Sequence, residues 1–416
     1  MMHFSRRDML ATGGALTVGS LLPFGSMARA TDYARMKTAP PITREERVAR
    51  IARAQALMQK AGIGAVLVES GPSLDYFTGV QWRRSERLTG AVIPAQGNPI
   101  IVTPFFEGPT IEEMLVVPAE IRTWQEDEEP LKLVADFIRQ TGGASSPIGF
   151  EETNRFFLMD RLQAQLPSAK IVSANPVVRA LRMIKTPAEL ALMQSAADIT
   201  IAAFRAIHPQ IQEGFAPSTI GQLFSDAVVG IGGTAPWALI LIGEAAAYPH
   251  GTGKPQEVRK GEVILLDCGC DVHGYQSDIS RTYVFGADPS PDQRKVWQQM
   301  RRGQDIAMAA AKIGAPAGSV DDAVRSAYES WGYGPRYKLP GTSHRTGHGI
   351  GMEGHEPVNL VHGEMTPLAP GMCFSNEPGI YLPGKFGIRL EDCFYMTPAG
   401  PKWFSVPPPS IDRPFD

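Results

Sequence analysis

Two segments in the C-terminal half combine an apolar strand pattern with acidic residues, and this combination most constrains the fold. The first, EVILLDCGCDVHGYQSDISRTYVFG, has Asp267 inside an apolar run and Asp278 beyond a possible tight turn at His273-Gly274. That turn pairs residue 267 with residue 280, so the two acids become diagonal neighbours on one face, about 7–8 Å apart. Because a buried, unpaired carboxylate is costly or takes up a proton, a positive group is expected beside them.

The second segment, FSNEPGIYLPGKFGIRLEDCFYM, repeats the pattern. A turn centred on Gly384 places Glu377 opposite Glu391, since each lies seven residues from it. Taken alone, either acidic pair is equally compatible with salt bridges, for which Arg281 and Arg389 are the available partners. The two pairs together favour a shared cationic centre.

A histidine cluster provides the nitrogen ligand that such a centre would need. His344, His348 and His355 lie within HRTGHGIGMEGH, although the whole chain has only eight histidines. Four carboxylates and one imidazole would suit two divalent ions about 3.5–4 Å apart. Ligands that are mostly oxygen favour manganese, with cobalt or zinc as alternatives.

The order of these residues resembles that of a known family, the pita-bread metallopeptidases, which include methionine aminopeptidase, aminopeptidase P and prolidase. LLDCGCDVHGYQSDISRTY, HRTGHGIGMEGHE and NEPGIYLPGKFGIRLED carry the resemblance, and the last string points to the proline-peptidase branch. The resemblance implies that Asp267 chelates one metal ion. It further implies that Asp278 and Glu391 bridge the two ions and that His348 and Glu377 bind the other.

The resemblance also implies catalytic roles. His344, His355 and His250, the last in YPHGTG, would stabilise the tetrahedral intermediate and orient the peptide carbonyl. Glu377 would shuttle the proton to the leaving nitrogen. Arg389 would pair with a bridging carboxylate or, alternatively, with the terminal carboxylate of the substrate. The expected activity is hydrolysis of the peptide bond preceding proline in short peptides, as in an Xaa-Pro dipeptidase.

Three alternatives stay open at this stage. An Xaa-Pro aminopeptidase would accept longer peptides if the far side of the pocket were open. Lyases that use this fold on small zwitterionic substrates carry a further Asp two residues after the first metal-binding Asp, where this chain has Gly269. A metal-free binding module is disfavoured by the intact ligand set.

The chain divides into two predicted domains after its first thirty residues. Alternating strand and helix patterns predict a smaller α/β domain over residues 31–183, and the resemblance implies that this domain is of the creatinase type. A capping box, with Thr186 as N-cap, Pro187 at the first helical position and Glu189 three residues on, then begins a helix. Antiparallel hairpins with helices predict an α+β catalytic domain over residues 184–416.

One stretch of the N-terminal domain suggests a role beyond folding. GPSLDYFTGV is interpreted as a turn and loop, and DYFTGVQWRRSERL places Tyr76, Phe77 and Trp82 beside a basic cluster. The resemblance implies that such aromatic residues cover an active site, sometimes that of a neighbouring subunit, so a homodimer is expected. A plain surface loop is the alternative.

The first thirty residues predict export. The pair Arg6-Arg7 follows Ser5, an uncharged and mostly apolar stretch comes next, and SMARA offers Ala28-x-Ala30 as a cleavage site. These are the parts of a twin-arginine signal, so a periplasmic or otherwise exported protein is expected. An uncleaved anchor is the alternative.

Composition excludes some other functions. The formal net charge of −3 and the lack of a basic block give no basis for nucleic-acid binding. Beyond the N-terminal signal no apolar run approaches the roughly 18 residues of a membrane span, so no membrane association is expected after signal removal. The four cysteines lie in apolar, strand-like segments without a CxxC pair and are expected to be buried free thiols.

Overall fold

The computed structural model describes residues 33–416 of the chain. The predicted twin-arginine signal at residues 1–30 lies outside the described residues, so export stays a prediction.

Helices and strands alternate in the first part of the described chain. The helices are α1 (Arg44–Ala61), α2 (Pro72–Thr78), α3 (Gly108–Met114), α4 (Pro130–Gln140), α5 (Phe156–Gln165) and α6 (Val178–Arg182). The strands are β1 (Ala65–Glu69), β2 (Gly90–Pro94), β3 (Ile100–Pro104), β4 (Glu120–Trp124), β5 (Ile148–Phe150) and β6 (Ile171–Ser173). They form one mixed sheet in the order β4-β3-β2-β1-β5-β6. Its central strands β1, β2 and β3 are buried along their whole length, as expected for an α/β domain.

Helix α2 departs from the interpretation of GPSLDYFTGV as a turn and loop. Pro72 occupies the first turn of this seven-residue helix, and Gly79 ends it in the left-handed conformation with φ of +84°. Because Tyr76 and Phe77 are only 2% and 0% exposed, they pack inside the protein. The prediction that they cover an active site was therefore wrong. Of the three aromatic residues, Trp82 alone is partly exposed, and it lines a groove together with Asp271 of the second domain.

The second part of the chain consists of four helices and antiparallel strands. The helices are α7 (Pro187–Ile207), α8 (Pro217–Ile231), α9 (Pro291–Ala310) and α10 (Gly318–Ser330). The strands are β7 (Thr234–Ile242), β8 (Val263–Val272), β9 (Tyr275–Gln276), β10 (Ile279–Val284), β11 (Gly347–Gly349), β12 (Glu356–Leu360), β13 (Cys373–Asn376), β14 (Ile380–Leu382), β15 (Phe386–Ile388), β16 (Asp392–Thr397) and β17 (Gly400–Trp403). One sheet has the order β10-β8-β7, with β9 paired to β8, and another has the order β12-β11-β13-β16-β17. This arrangement confirms the α+β prediction.

Helix α7 begins as predicted. The hydroxyl of Thr186 accepts from the backbone N–H of Glu189, the Glu189 carboxylate accepts from the backbone N–H of Thr186, and Pro187 follows the cap. In the described part of the chain this is the one helix that length and composition would allow to cross a membrane. Half of its apolar window is buried inside the protein, and the helix packs against α8 and β8. Such burial is typical of a core helix, so the helix is weak evidence for a membrane span.

Both predicted hairpin registers are confirmed. In the first hairpin Ser280 pairs with Asp267 around a turn at His273 and Gly274, and continuing that register places Asp278 opposite Gly269. All four cysteines, which lie on or beside these strands, are buried and free, as predicted.

In the second hairpin β14 and β15 pair around Gly384, which has φ of +74°. The same register brings Asn376 opposite Asp392, next to the two predicted glutamate ligands. A single bridge between Ser280 and Glu391 then connects the two hairpins, so both pairs of acids meet at one place.

Candidate metal centre and active site

One cavity of about 270 Å³ contains every residue predicted for the site. Its lining includes the predicted metal ligands and the predicted catalytic residues, which are Asp267, Asp278, His348, Glu377, Glu391, His250, His344, His355 and Arg389. Trp237, Leu239 and Arg345 complete the lining. The sequence reasoning did not single out these three residues.

Five different backbone segments deliver the predicted metal ligands. Asp267 lies on β8, Asp278 directly precedes β10, His348 lies on β11, Glu377 directly follows β13, and Glu391 directly precedes β16. Ligand atoms of Asp267, Asp278 and Glu391 lie within 4.8 Å of one another, and so do those of His348, Glu377 and Glu391. The shared Glu391 therefore joins two overlapping groups, which is the arrangement that a bridging ligand requires.

His348 presents one ring nitrogen to the carboxylates. Its Nδ1 lies 3.1 Å from the carbonyl oxygen of Gly349, to which it donates, so Nε2 faces the cavity. Nε2 lies 3.3 Å from Oε1 of Glu377 and 3.7 Å from Oδ2 of Asp278. Burial alone would lower the pKa of His348, but the neighbouring Glu377 and Asp278 outweigh it and raise that pKa.

The environment of the two predicted bridging acids, Asp278 and Glu391, would suit a cation. Oδ1 of Asp278 and Oε1 of Glu391 are buried and have no hydrogen-bond partner among the described residues. Burial, followed by repulsion from neighbouring carboxylates, raises the pKa of both side chains well above the usual range. Orphaned buried oxygens are rare in folded proteins, and a divalent ion would satisfy both. The residues present therefore fit a dinuclear centre.

Glu377 differs from these two acids. Burial acts to raise its pKa, but His344 and His348 outweigh that effect and bring the pKa to about 2. The carboxylate is therefore ionised at neutral pH and can both bind a metal ion and accept a proton.

Arg389 pairs with Asp267, which corrects the expectation of a bridging carboxylate as its partner. Its Nε donates to Oγ of Ser280 at 3.1 Å, and its Nη1 donates to the carbonyl of Pro249 at 2.9 Å and to Tyr381 at 3.1 Å. Because every nitrogen of this buried guanidinium is engaged, it orients Asp267 rather than binding a substrate carboxylate. Arg281, the other candidate partner, pairs with Asp392 instead.

His344 is connected to this arginine through Tyr381. The ring Nδ1 donates to the carbonyl of Arg345 at 2.8 Å, and Nε2 accepts from the Tyr381 hydroxyl at 2.7 Å. Burial lowers the pKa of His344, so the ring is neutral at physiological pH. Tyr381 accepts from Arg389 while it donates to His344, which fixes the orientation of all three side chains.

His355 stacks on the imidazole of His348, a predicted metal ligand. The ring centroids of His355 and His348 lie 3.8 Å apart with an interplanar angle of 29°. Burial, followed by the proximity of His348, lowers the pKa of His355 to about 4. A neutral His355 can donate a hydrogen bond to a substrate oxygen without adding charge to the site. His250 lines the same cavity from the segment after β7.

Ser280 was missed as a functional residue although its register position was predicted. Its hydroxyl oxygen lies 2.9 Å from Oδ1 of Asp267 and 2.9 Å from Oε2 of Glu391. The hydroxyl has one proton and donates to one carboxylate at a time, while it accepts from Arg389. Its placement opposite Asp267 in the hairpin was the signal that could have identified it.

Gly269 leaves no space for the side chain that the lyase alternative requires. A Cβ at this position would lie 2.0 Å from the carbonyl oxygen of Ser277 and 2.6 Å from Nε1 of Trp237. The Ser277 carbonyl and the Trp237 indole therefore exclude an aspartate two residues after Asp267.

The fold and the site define a metallopeptidase of the pita-bread class with a creatinase-type N-terminal domain. The chain belongs to metallopeptidase family M24, whose model matches residues 191–398, and the creatinase/prolidase N-terminal domain matches residues 50–184. Membership confirms the predicted fold and that the protein is a peptidase.

Several named relatives are similar in sequence to this chain over nearly all of its described residues. A probable dipeptidase PepE of Mycobacterium tuberculosis is 32% identical over 84% of this chain and 92% of its own length. An Xaa-Pro dipeptidase of Lactobacillus helveticus is 31% identical over 84% of this chain and 95% of its own length. The crystal structure of dipeptidase PepE from Mycobacterium ulcerans superimposes with a TM-score of 0.80 at 30% identity, covering 89% of this chain and 98% of that one.

Proposed function

We propose that this protein hydrolyses the peptide bond preceding proline in Xaa-Pro dipeptides with two divalent ions, and that manganese is the native metal. The observation that carries the proposal is the convergence of four carboxylates and His348 on one small cavity, with unpaired buried oxygens on Asp278 and Glu391. The Xaa-Pro dipeptidase of L. helveticus, at 31% identity, supports the substrate class.

Different residues of the cavity carry out different steps of the proposed hydrolysis. When bound, two divalent ions would lower the pKa of a shared water molecule and polarise the scissile carbonyl. Glu377, ionised because its pKa is about 2, accepts the proton of the attacking water and passes it towards the leaving nitrogen. Neutral His355 donates a hydrogen bond where negative charge develops on the carbonyl oxygen, and His250 and His344 orient the substrate.

Proline suits such a site because its peptide nitrogen is tertiary and carries no N–H. A peptidase that holds its substrate through that N–H loses the contact at proline, whereas this cavity acts on the carbonyl side of the bond. The leaving nitrogen then needs only a proton, which Glu377 is placed to supply.

The size and charge of the cavity favour dipeptides over longer substrates. Its volume of about 270 Å³ lies just below the range of roughly 300–1,000 Å³ for pockets that bind drug-sized ligands. Arg345 reaches the cavity and donates through Nη1 to Asn359, but it pairs with no carboxylate among the described residues. Since Arg389 is fully engaged, Arg345 is the guanidinium available to bind the terminal carboxylate of a dipeptide.

Metal removal and reconstitution test the reaction. The purified protein is stripped with a chelator and assayed on Ala-Pro after addition of manganese, cobalt or zinc. We expect no turnover without metal, the fastest turnover with manganese, and two ions per chain by elemental analysis. Turnover of Ala-Pro by the stripped protein, or by Asp278→Asn at the wild-type rate, would contradict the proposal.

Substrate length is tested with Ala-Pro, Ala-Pro-amide and Ala-Pro-Ala. Wild-type protein is expected to prefer Ala-Pro, whereas comparable turnover of Ala-Pro-Ala would favour the aminopeptidase alternative. Arg345→Met should lower kcat/KM for Ala-Pro about 10–100-fold, as expected for loss of a charge-assisted hydrogen bond, and leave Ala-Pro-amide little changed. Arg345→Lys, which keeps the charge, should give an intermediate value. Equal losses on both substrates would exclude a carboxylate-binding role.

We also propose a homodimer that uses the N-terminal domain. Phe105 and Phe106 are each 59% exposed and Phe156 is 72% exposed, so these aromatic side chains are available for contact with a second copy of the chain. Light scattering coupled to size exclusion should give twice the chain mass. The Phe105→Ser and Phe156→Ser double variant should shift it towards the monomer, and an unchanged mass would refute a role of these side chains in the dimer.

Export by the twin-arginine route is proposed from Arg6 and Arg7, followed by the apolar stretch and Ala28-x-Ala30. In cell fractionation the wild-type chain should be found in the exported fraction, shortened at its N-terminus. Replacement of both arginines by lysine should keep it inside the cell at full length, since twin-arginine signals require the pair. Export of the lysine variant would contradict the proposed route.

A further inference from the structure

Arg182, Lys185 and Glu356 form a buried ion triad outside the predicted site. Oε2 of Glu356 accepts from Nζ of Lys185 at 2.8 Å, and Oε1 accepts from Nη2 of Arg182 at 2.6 Å. All three residues are at most 9% exposed. Burial acts to raise the pKa of Glu356, but Lys185 and Arg182 outweigh it and bring the pKa to about 2. The Glu356 carboxylate is therefore ionised and pairs with two cationic side chains, those of Lys185 and Arg182.

The triad also determines the shape of the loop at residues 350–356. Oε1 of Glu356 accepts the backbone N–H groups of Met352 at 2.9 Å and Glu353 at 3.2 Å. Gly351 lies against the ion pair of Lys185 and Glu356. A Cβ at this position would lie 2.7 Å from Cε of Lys185 and 2.9 Å from Oε1 of Glu356. The loop backbone is thus fitted around the Lys185–Glu356 contact.

This loop carries His355, the residue directly before Glu356. The imidazole of His355 stacks on His348, but it makes no hydrogen bond to another side chain or to the backbone among the described residues. Its position therefore depends on that stacking and on the backbone that Glu356 holds. The two cations come from the interdomain connection, because Arg182 ends α6 and Lys185 lies just before α7 in the segment that connects the two domains.

We propose that Arg182, Lys185 and Glu356 are positioning residues that hold His355 towards the reacting carbonyl and make the interdomain connection part of the active-site support. The proposal rests on the proposed peptidase function for its kinetic assay. An inactive wild-type enzyme would count against the proposed function, whereas an active wild-type enzyme whose Lys185 variants behave normally would count against the triad alone.

Lys185→Met is the main test, because Glu356 keeps Arg182 and two backbone N–H donors and the variant is expected to fold. With metal content unchanged, kcat on Ala-Pro should fall about 10-fold while KM changes less than about twofold, as for a partial loss of transition-state stabilisation. Lys185→Arg should recover most of kcat. Deuterium exchange at residues 350–356 should be faster in Lys185→Met, a readout that does not depend on activity.

A double-mutant cycle distinguishes positioning from general destabilisation. In a His355→Ala background, Lys185→Met should change kcat less than about twofold, since the residue through which it acts has been removed. Glu353→Gln is the matched control: it breaks the other salt bridge of Arg182, whose partner carboxylate is 36% exposed, and should leave kcat unchanged. Equal losses from Lys185→Met in both backgrounds, or no loss in the wild-type background, would overturn the proposal. If Lys185→Met does not fold, Arg182→Met, which keeps Lys185 on the carboxylate, is used in the same cycle with the same criteria.

Discussion

Asp278→Asn should stabilise the metal-free protein while it abolishes metal binding, two effects of opposite sign from one substitution. Ligand oxygens of Asp267, Asp278 and Glu391 lie within 4.8 Å of one another, and Asp278 is only 5% exposed. At an effective dielectric constant of about 20, two unit charges at this separation repel by about 3.5 kcal/mol. Asp278 takes part in two such pairs, so its ionised form is strongly unfavourable without cations.

Proton uptake limits the size of this effect. The pKa of Asp278 is raised well above its usual range by burial and then by Asp267, so the metal-free protein relieves part of the repulsion by protonation. We therefore expect Asn to stabilise the metal-free form by about 1–3 kcal/mol, which is roughly 2–4 °C in Tm for each kcal/mol. Because the folded pKa exceeds the unfolded one, the stability of the metal-free wild type falls as pH rises through the folded value, and the advantage of Asn should be larger at pH 8 than at pH 5.

Thermal unfolding followed by circular dichroism checks both effects. In chelator at pH 8, Asp278→Asn should melt above wild type, and added manganese should raise Tm of wild type but not of the variant. Asp288→Asn, on an exposed loop, is the control and should match wild type in both conditions. A variant that melts at or below the metal-free wild type at pH 8, or that gains as much from manganese, would refute the repulsion argument.

Three further outcomes follow from the contacts around the centre. Ser280→Ala should weaken manganese binding roughly 10–100-fold in calorimetry, because the hydroxyl orients the Asp267 and Glu391 carboxylates, and Ser280→Thr should restore it. Tyr381→Phe should lower kcat about 10-fold at unchanged metal content, since Arg389 and His344 lose their shared partner. Arg389→Lys should weaken metal binding and activity together, because one ammonium cannot replace contacts to Asp267, Ser280, Tyr381 and the backbone.

The pairing of the acids within each hairpin could be predicted from the sequence because each hairpin is a local structure. In a two-stranded hairpin the turn position determines every pairing, so His273-Gly274 and Gly384 were enough to bring the acids of each pair together. The capping box at Thr186 is local in the same sense. Helix α2 was missed because its apolar residues lie among turn-forming ones, and the burial of Leu74 and Phe77 decides the conformation only once the domain has folded.

The partners of the arginines were not predictable in this way. Arg281 lies on β10 and Arg389 directly follows β15, and Arg281 pairs with Asp392 whereas Arg389 pairs with Asp267. The choice depends on which face of each strand points into the cavity after the two hairpins have joined. Ser280 and Glu391 contribute to that junction through paired backbone hydrogen bonds between segments more than a hundred positions apart.

The same junction explains why the site depends on the correct register of both hairpins. Each hairpin alone would bury two carboxylates without sufficient compensation, and joining them brings four into one cavity, which increases the repulsion. Among the residues that line the cavity, Arg389 is already paired with Asp267, and Arg345 and the histidines are the other groups that can oppose this charge. A site with more anions than cations is therefore stabilised when divalent ions bind there. The residues that position the ligands without binding a metal ion, Ser280 above all, therefore act on folding stability and on metal affinity at once.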